Sequence, residues 1–159
     1  MVVYIMNEIL IADLETNGIS PSEIYIVGVL NYTTDEYTQY YQSLDEISVG
    51  LMRLNDARLI IGHNFIKYDS TTIRKLTEGV IDIPETKIID TLTMSRKLFP
   101  DMKKHSLGEW GDIFDYPKID YKLGFDRFHP EMLPYCERDC RLNKRLYDFL
   151  ISQETNKLS

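Results

Sequence analysis

Short apolar runs alternate with amphipathic stretches along this chain, and their order predicts a mixed sheet flanked by helices. Residues 8–15, EILIADLE, form an apolar run followed by the turn signals Asn17-Gly18 and Pro21, which is the pattern of a buried strand. Residues 23–32, EIYIVGVLNY, are rich in β-branched and aromatic side chains and predict a second strand. The alternation in 36–41, EYTQYY, predicts a third. Apolar residues at 44, 47, 51 and 54 then recur at a helical period. Residues 57–64, ARLIIGHN, carry a short fourth strand, with a helix expected from Asp69 to Leu76.

In the second half, 87–90, KIID, reads as a fifth strand. Asp90 is placed to cap a helix running to Phe99 and stopped by Pro100. Ser106 and Glu109 have capping-box spacing for a short helix over LGEWGDIF. Tyr116 to His129 is irregular and aromatic, a loop. A last helix is expected from Pro130 to Gln153, with Pro130 in its first turn and a kink or split at Pro134. The order of three strands, helix, strand, helix, strand and three helices is that of an α/β fold.

At 159 residues the chain makes one domain, with no repeat or linker. No apolar run approaches the ~20 residues of a membrane span, and the start reads as a strand rather than a signal peptide. Cys136 and Cys140 are too few for a structural zinc site and too close for a useful disulfide. Two free thiols point to a reducing compartment, the cytoplasm. The net charge of −7 argues against broad coating of DNA. It leaves room for a small footprint on a strand end gripped through metals, or for a partner that supplies affinity.

The candidate chemistry is carboxylate chemistry. Asp13 and Glu15, two apart on a strand, leave the same face and make half of a site for a hard cation, Mg²⁺ or Mn²⁺, with no thiolate or histidine pair competing. Tyr135 and Asp139, four apart on a helix, share a face. An acid there can bind a metal while the hydroxyl orients water; the plain alternative is a packed tyrosine with Asp139 paired in solvent. Asp69, at a strand-to-helix transition, is on its own better explained as a helix N-cap. Asn64 could close a turn or bind a nucleotide, and His63 suits a structural histidine. Lys103, Lys104 and His105 form the most plausible basic contact for a phosphate backbone. The cluster Arg138, Arg141, Lys144 and Arg145 suits a solvated helix face with some ion pairs.

Together, IADLET, GHNFIKYD, IDTLTMSRKLFP, HSLGEWG and YCERD resemble, in order, the DEDD (DnaQ-like) superfamily of 3′–5′ exonucleases, which has a ribonuclease H-like fold. Tyr135, four before Asp139, is similar to the tyrosine branch. The whole set is most similar to the proofreading domain of phage-type family A DNA polymerases, over about Ile9 to Leu150. The resemblance implies removal of nucleoside 5′-monophosphates from a single-stranded or frayed DNA 3′ end by two divalent ions, Mg²⁺ or Mn²⁺. Asp13, Glu15, Asp69 and Asp139 would be the ligands and Tyr135 would orient the water. Thr16, Asn17, Ile19, Asn64 and His105 would touch substrate, Ile19 as a wedge on the terminal base. Phe65 or Tyr68 could stack a base, with core packing favoured for Phe65. A DNA polymerase partner is compatible with this reading, and no residue of loop 116–129 can be assigned from it. The rivals are an exoribonuclease of the same superfamily, a non-catalytic accessory module, and a phosphatase acting on small nucleotides.

Overall fold

A computed structural model describes residues 7–158. The apolar start of the chain, residues 1–6, lies outside them. The strands are β1 (Ile9–Thr16), β2 (Ile24–Asn31), β3 (Tyr37–Tyr40), β4 (Leu59–Gly62) and β5 (Ile88–Asp90). The helices are α1 (Leu44–Asp56), α2 (Asp69–Leu76), α3 (Thr91–Leu98), α4 (Leu107–Ile113) and α5 (Met132–Leu158), with a 3₁₀ turn at Glu85–Lys87. One five-stranded sheet has the order β3-β2-β1-β4-β5. β1, β2 and β3 are antiparallel neighbours, whereas β4 and β5 run parallel to β1.

The two faces of β1 follow from its alternation. Leu10, Ala12 and Leu14 pack with Ile47, Leu51 and Leu54 of α1. Ile11 faces the opposite way, toward Cys140 and Tyr147 of α5. Residues 13 and 15 share the parity of Ile11, so their side chains head toward α5. α3 and α4 close over the far side of α5 through Leu98, Trp110, Leu146 and Leu150. The expected α/β class is therefore the observed one, a mixed five-stranded sheet with helices on both faces.

Local signals set several boundaries. Asp90 caps α3, its carboxylate accepting from the Leu92 amide. The same carboxylate accepts from the amides of Asn64 and Ile66, which fastens the β4–α2 turn to the end of β5. Ser106 caps α4 by accepting from the Glu109 amide.

Two expectations need correction. α5 begins at Met132, not Pro130, runs on to Leu158, and has no break at Pro134. Pro134 is the third helical residue, in the first turn, where an amide has no intrahelical acceptor to lose. The carbonyl of Pro130 is taken by the Leu133 amide instead. Asp69 is not a cap either. Tyr68 occupies the N-cap position of α2 with no side-chain cap, and Asp69 is the first helical residue, buried and turned toward β1.

Candidate metal and nucleic-acid site

Asp13 and Glu15 lie at the end of the central strand, just before a bulge between Glu15 and Thr16. Asp69 reaches them from the start of α2, its Oδ1 accepting from the Leu14 amide at 3.2 Å. Tyr135, Cys136 and Asp139 arrive from the first turns of α5. Glu15, Asp69 and Asp139 are each about 95% buried, while Asp13 keeps an edge open to solvent. The four carboxylates feel one another. Burial, then the Asp139 charge, pushes Asp13 up to about 7. Glu15 is pushed up to about 10 by burial, then by Asp13 and Asp139. Burial and Asp13 raise Asp69 well above the carboxylate range, against the hydrogen bond from Leu14. Burial also raises Asp139, with Lys118 pulling the other way.

This donor set fits a hard divalent cation. Asp13 and Glu15 bring carboxylate oxygens within 4.8 Å of each other, and Asp139 and Asp69 add their charges to Glu15. Among the described residues a single ammonium, that of Lys118, stands against these four acids on Asp139 Oδ2, and Asp139 Oδ1 is buried with no hydrogen-bond partner. Such an orphan acceptor is costly unless something binds it. A thiol also stands beside the acids. Cys136 Sγ lies 3.8 Å from Asp13 Oδ2 and falls within ligand reach of Asp13 and Glu15. A hydrogen bond with Cys140, and then burial, holds Cys136 well above the usual thiol range, so it stands there as a thiol rather than a thiolate.

The residue that sequence reasoning missed is Lys118. Its Nζ lies 2.7 Å from Asp139 Oδ2 and 4.7 Å from the centre of the Tyr135 ring. Burial alone would lower its pKa, but the Asp139 carboxylate outweighs burial and holds it above the usual lysine range. It sits in the irregular loop after α4, where no periodicity could point to it. The loop is nonetheless anchored. Tyr116 carries the guanidinium of Arg138 at 3.9 Å and that of Arg145 at 3.8 Å from its ring centre. Two cations so close to one centre must lie on opposite faces. Tyr121 packs on Tyr135 at 5.5 Å. The basic face of α5 is thus only partly given over to ion pairs, Arg141 with Glu137 and Asp35, and Lys144 with Asp35; its other two cations hold the loop.

Two cavities flank the acids. A notch of about 240 Å³ is lined by Leu14, Glu15, Thr16, Ile19, Tyr68 and Phe125. A polar groove of about 590 Å³ is lined by residues that include Asp13, His63, Asn64, Arg96, His105, Lys118 and Asp139. Ile19 is 94% exposed at the rim of the notch. Thr16 also lines it, but its hydroxyl is already 2.7 Å from that of Tyr68. Asn17 lines neither cavity; its amide closes the turn to Ser22 and Glu23. Asn64 lines the groove in a left-handed conformation, φ 60°, with its amide bound to Asp90. His63 is hydrogen-bonded to Thr91 at 2.9 Å and pushed down to about 4 by burial, so it is neutral. His105 also lines the groove, its Nδ1 held 2.6 Å from Ser95 Oγ, while Lys103 and Lys104 point to solvent outside it. Phe65 is fully buried in the core. Arg96 and Phe125 carried no signal in the sequence.

Comparison with known proteins agrees with the architecture. No curated protein sequence matches the chain. A solved structure described as the apo form of the nuclease superposes with a TM-score of 0.70 at 17% identity, over 94% of this chain and 74% of that one. Brucella melitensis NrnC bound to pGG superposes with a TM-score of 0.70 at 16% identity, again over 94% and 74%. At such identities the likeness is one of fold. Residues 10–109, which carry Asp13, Glu15 and Asp69, match the family RNase_H_2, and by that match the chain belongs to the RNase_H superfamily.

Proposed function

We propose that this protein is a metal-dependent 3′–5′ exonuclease of the tyrosine branch, removing nucleoside 5′-monophosphates from single-stranded or frayed DNA ends. One observation carries the reading: Asp13 and Glu15 stand together, within electrostatic reach of Asp69 and Asp139, between a notch with an apolar rim and a polar groove. Asp13, Glu15, Asp69 and Asp139 would hold the divalent ions, Mg²⁺ or Mn²⁺. When bound, such ions neutralise charge on a phosphodiester and make water nucleophilic near neutral pH.

The chain's own groups do the rest. Tyr135 is raised by burial, against its hydrogen bond with Lys118. It stays a phenol, suited to orienting a water by hydrogen bonding and poorly suited to acting as a base. Ile19, Tyr68 and Phe125 offer one unpaired base an apolar seat. Arg96 and His105 stand along the groove where the next phosphates would run. A paired end must first be unstacked, which costs a few kcal/mol and favours single strands. The two free cysteines fit a reducing cytoplasm. A DNA polymerase partner belongs to the same proposal. A binding-only module would have no physical need for four interacting acids, three of them buried.

A second reading has its own support. Brucella melitensis NrnC, similar in fold, was solved bound to pGG; the second reading is that this chain acts on short oligonucleotides of that size, as RNA. One experiment tests both. Matched 5′-labelled DNA and RNA, as dinucleotides and as longer single strands, are incubated with Mg²⁺ or Mn²⁺ and the products resolved. Stepwise shortening of the labelled DNA from its 3′ end is expected, with mononucleotides as the unlabelled product. Faster release from RNA would select the second reading, and release from neither with either metal would overturn both.

A further inference from the structure

Asp139 has two oxygens in opposite circumstances. Oδ2 accepts from the Lys118 ammonium at 2.7 Å, while Oδ1 is buried without a partner. Lys118 is not a surface lysine that happened to fold inward. Its side-chain stem passes over Gly108, whose added Cβ would stand 3.7 Å from Lys118 Cδ. The backbone just before it lies against Gly111, where a Cβ would meet the Tyr116 carbonyl at 2.9 Å and Pro117 Cα at 3.3 Å. Tyr116, two residues upstream, is clamped between Arg138 and Arg145. The loop therefore delivers one ammonium to one carboxylate oxygen of the acid cluster.

We propose that Lys118 is the resident cation of the metal-free site and competes with the divalent metal for Asp139. This rests on the metal-dependent reading above. An ammonium and a divalent ion on one carboxylate repel each other strongly in a buried setting. The metal must therefore displace Lys118 from Oδ2 or bind Asp139 more weakly. The acids do two jobs as a result. They hold a metal when it is present, and they are partly neutralised by a tethered lysine when it is not, which lessens the cost of burying them together. Removing the ammonium should strengthen metal binding.

The test is Mn²⁺ binding to the full chain, by calorimetry and by the Mn²⁺ dependence of the melting temperature. It compares wild type with Lys118→Met, Lys118→Gln and Lys118→Arg. The two neutral variants are expected to bind Mn²⁺ roughly tenfold or more tightly, within the ordinary range of coupling between ligands. Lys118→Arg, which keeps the charge, should stay close to wild type. If a neutral variant folds only when Mn²⁺ is present, that too supports the proposal, because the metal then replaces the missing ammonium. Equal or weaker binding by the neutral variants, with wild type still binding, overturns the role of Lys118 and leaves the nuclease reading intact. Absence of Mn²⁺ binding by wild type and variants alike overturns both.

Discussion

Gly28 makes room for Cys136. It is the register partner of Asp13 in the β1–β2 ladder, and a Cβ on it would stand 2.5 Å from Cys136 Sγ and 2.8 Å from the Tyr37 hydroxyl. The missing side chain lets α5 press onto the sheet at the strand pair that carries the acids. Tyr135 and Asp139 ride on the same turns of α5. Gly28→Ala should therefore overpack this contact, costing about 1–3 kcal/mol of stability and lowering activity more than stability alone explains. Urea denaturation, with activity assayed well below the midpoint, checks this. Cys136→Ala in the same chain should restore part of both losses; strictly additive effects would mean that the contact is not the cause.

Asp13 and Tyr135 should rank differently. Asp13→Asn removes a proposed metal ligand and should lower kcat by about 10²–10³-fold, with the fold retained by circular dichroism. Tyr135→Phe removes one orienting hydrogen bond and should cost about 10–100-fold. Single-turnover rates on labelled DNA measure both, and the reverse order would break the assignment of roles.

The acid cluster should make the chelated protein less stable as pH rises. Glu15 is raised from its ordinary range to about 10, and Asp13 to about 7. A carboxyl raised by folding binds its proton more tightly in the native state. Its contribution is fully present below its unfolded pKa and is lost as pH climbs through the folded one. The window therefore opens near pH 4 and extends past neutrality. Melting temperatures in chelator, measured from pH 5 to 9, should fall more steeply for wild type than for Glu15→Gln. Saturating Mn²⁺ should flatten the difference, since metal binding favours the ionised acids.

Phe125 and Ile19 should govern hold on the terminal base rather than chemistry. Phe125→Ala is expected to weaken binding by about 1–3 kcal/mol, the usual worth of a base-stacking aromatic. That would appear as a higher KM for single-stranded ends with kcat nearly unchanged. Ile19→Asp should do the same by placing a charge at the apolar rim. A fall in kcat with constant KM in either variant would move the base away from this notch.

The distances along the chain at which these residues meet explain what was legible beforehand. Asp13 with Glu15, and Tyr135 with Asp139, are readable because a strand repeats every two residues and a helix nearly every four. The caps at Asp90 and Ser106 are equally local, each bonding an amide two or three residues on. So the sequence by itself determined the order of elements, the face each acid leaves from, and the hard-oxygen character of the donors. Asp69 shows the limit. Judged locally it is a helix cap, but in the fold it accepts from Leu14, 55 residues away. Lys118 shows it more sharply, because an irregular loop has no period from which a direction could be read. Which faces meet is decided by burying apolar surface across the whole chain, with Gly28 and Gly111 admitting close approach and the Arg138–Tyr116–Arg145 stack holding the loop. Only that long-range packing turned separate acids into one crowded cluster and set a lysine inside it.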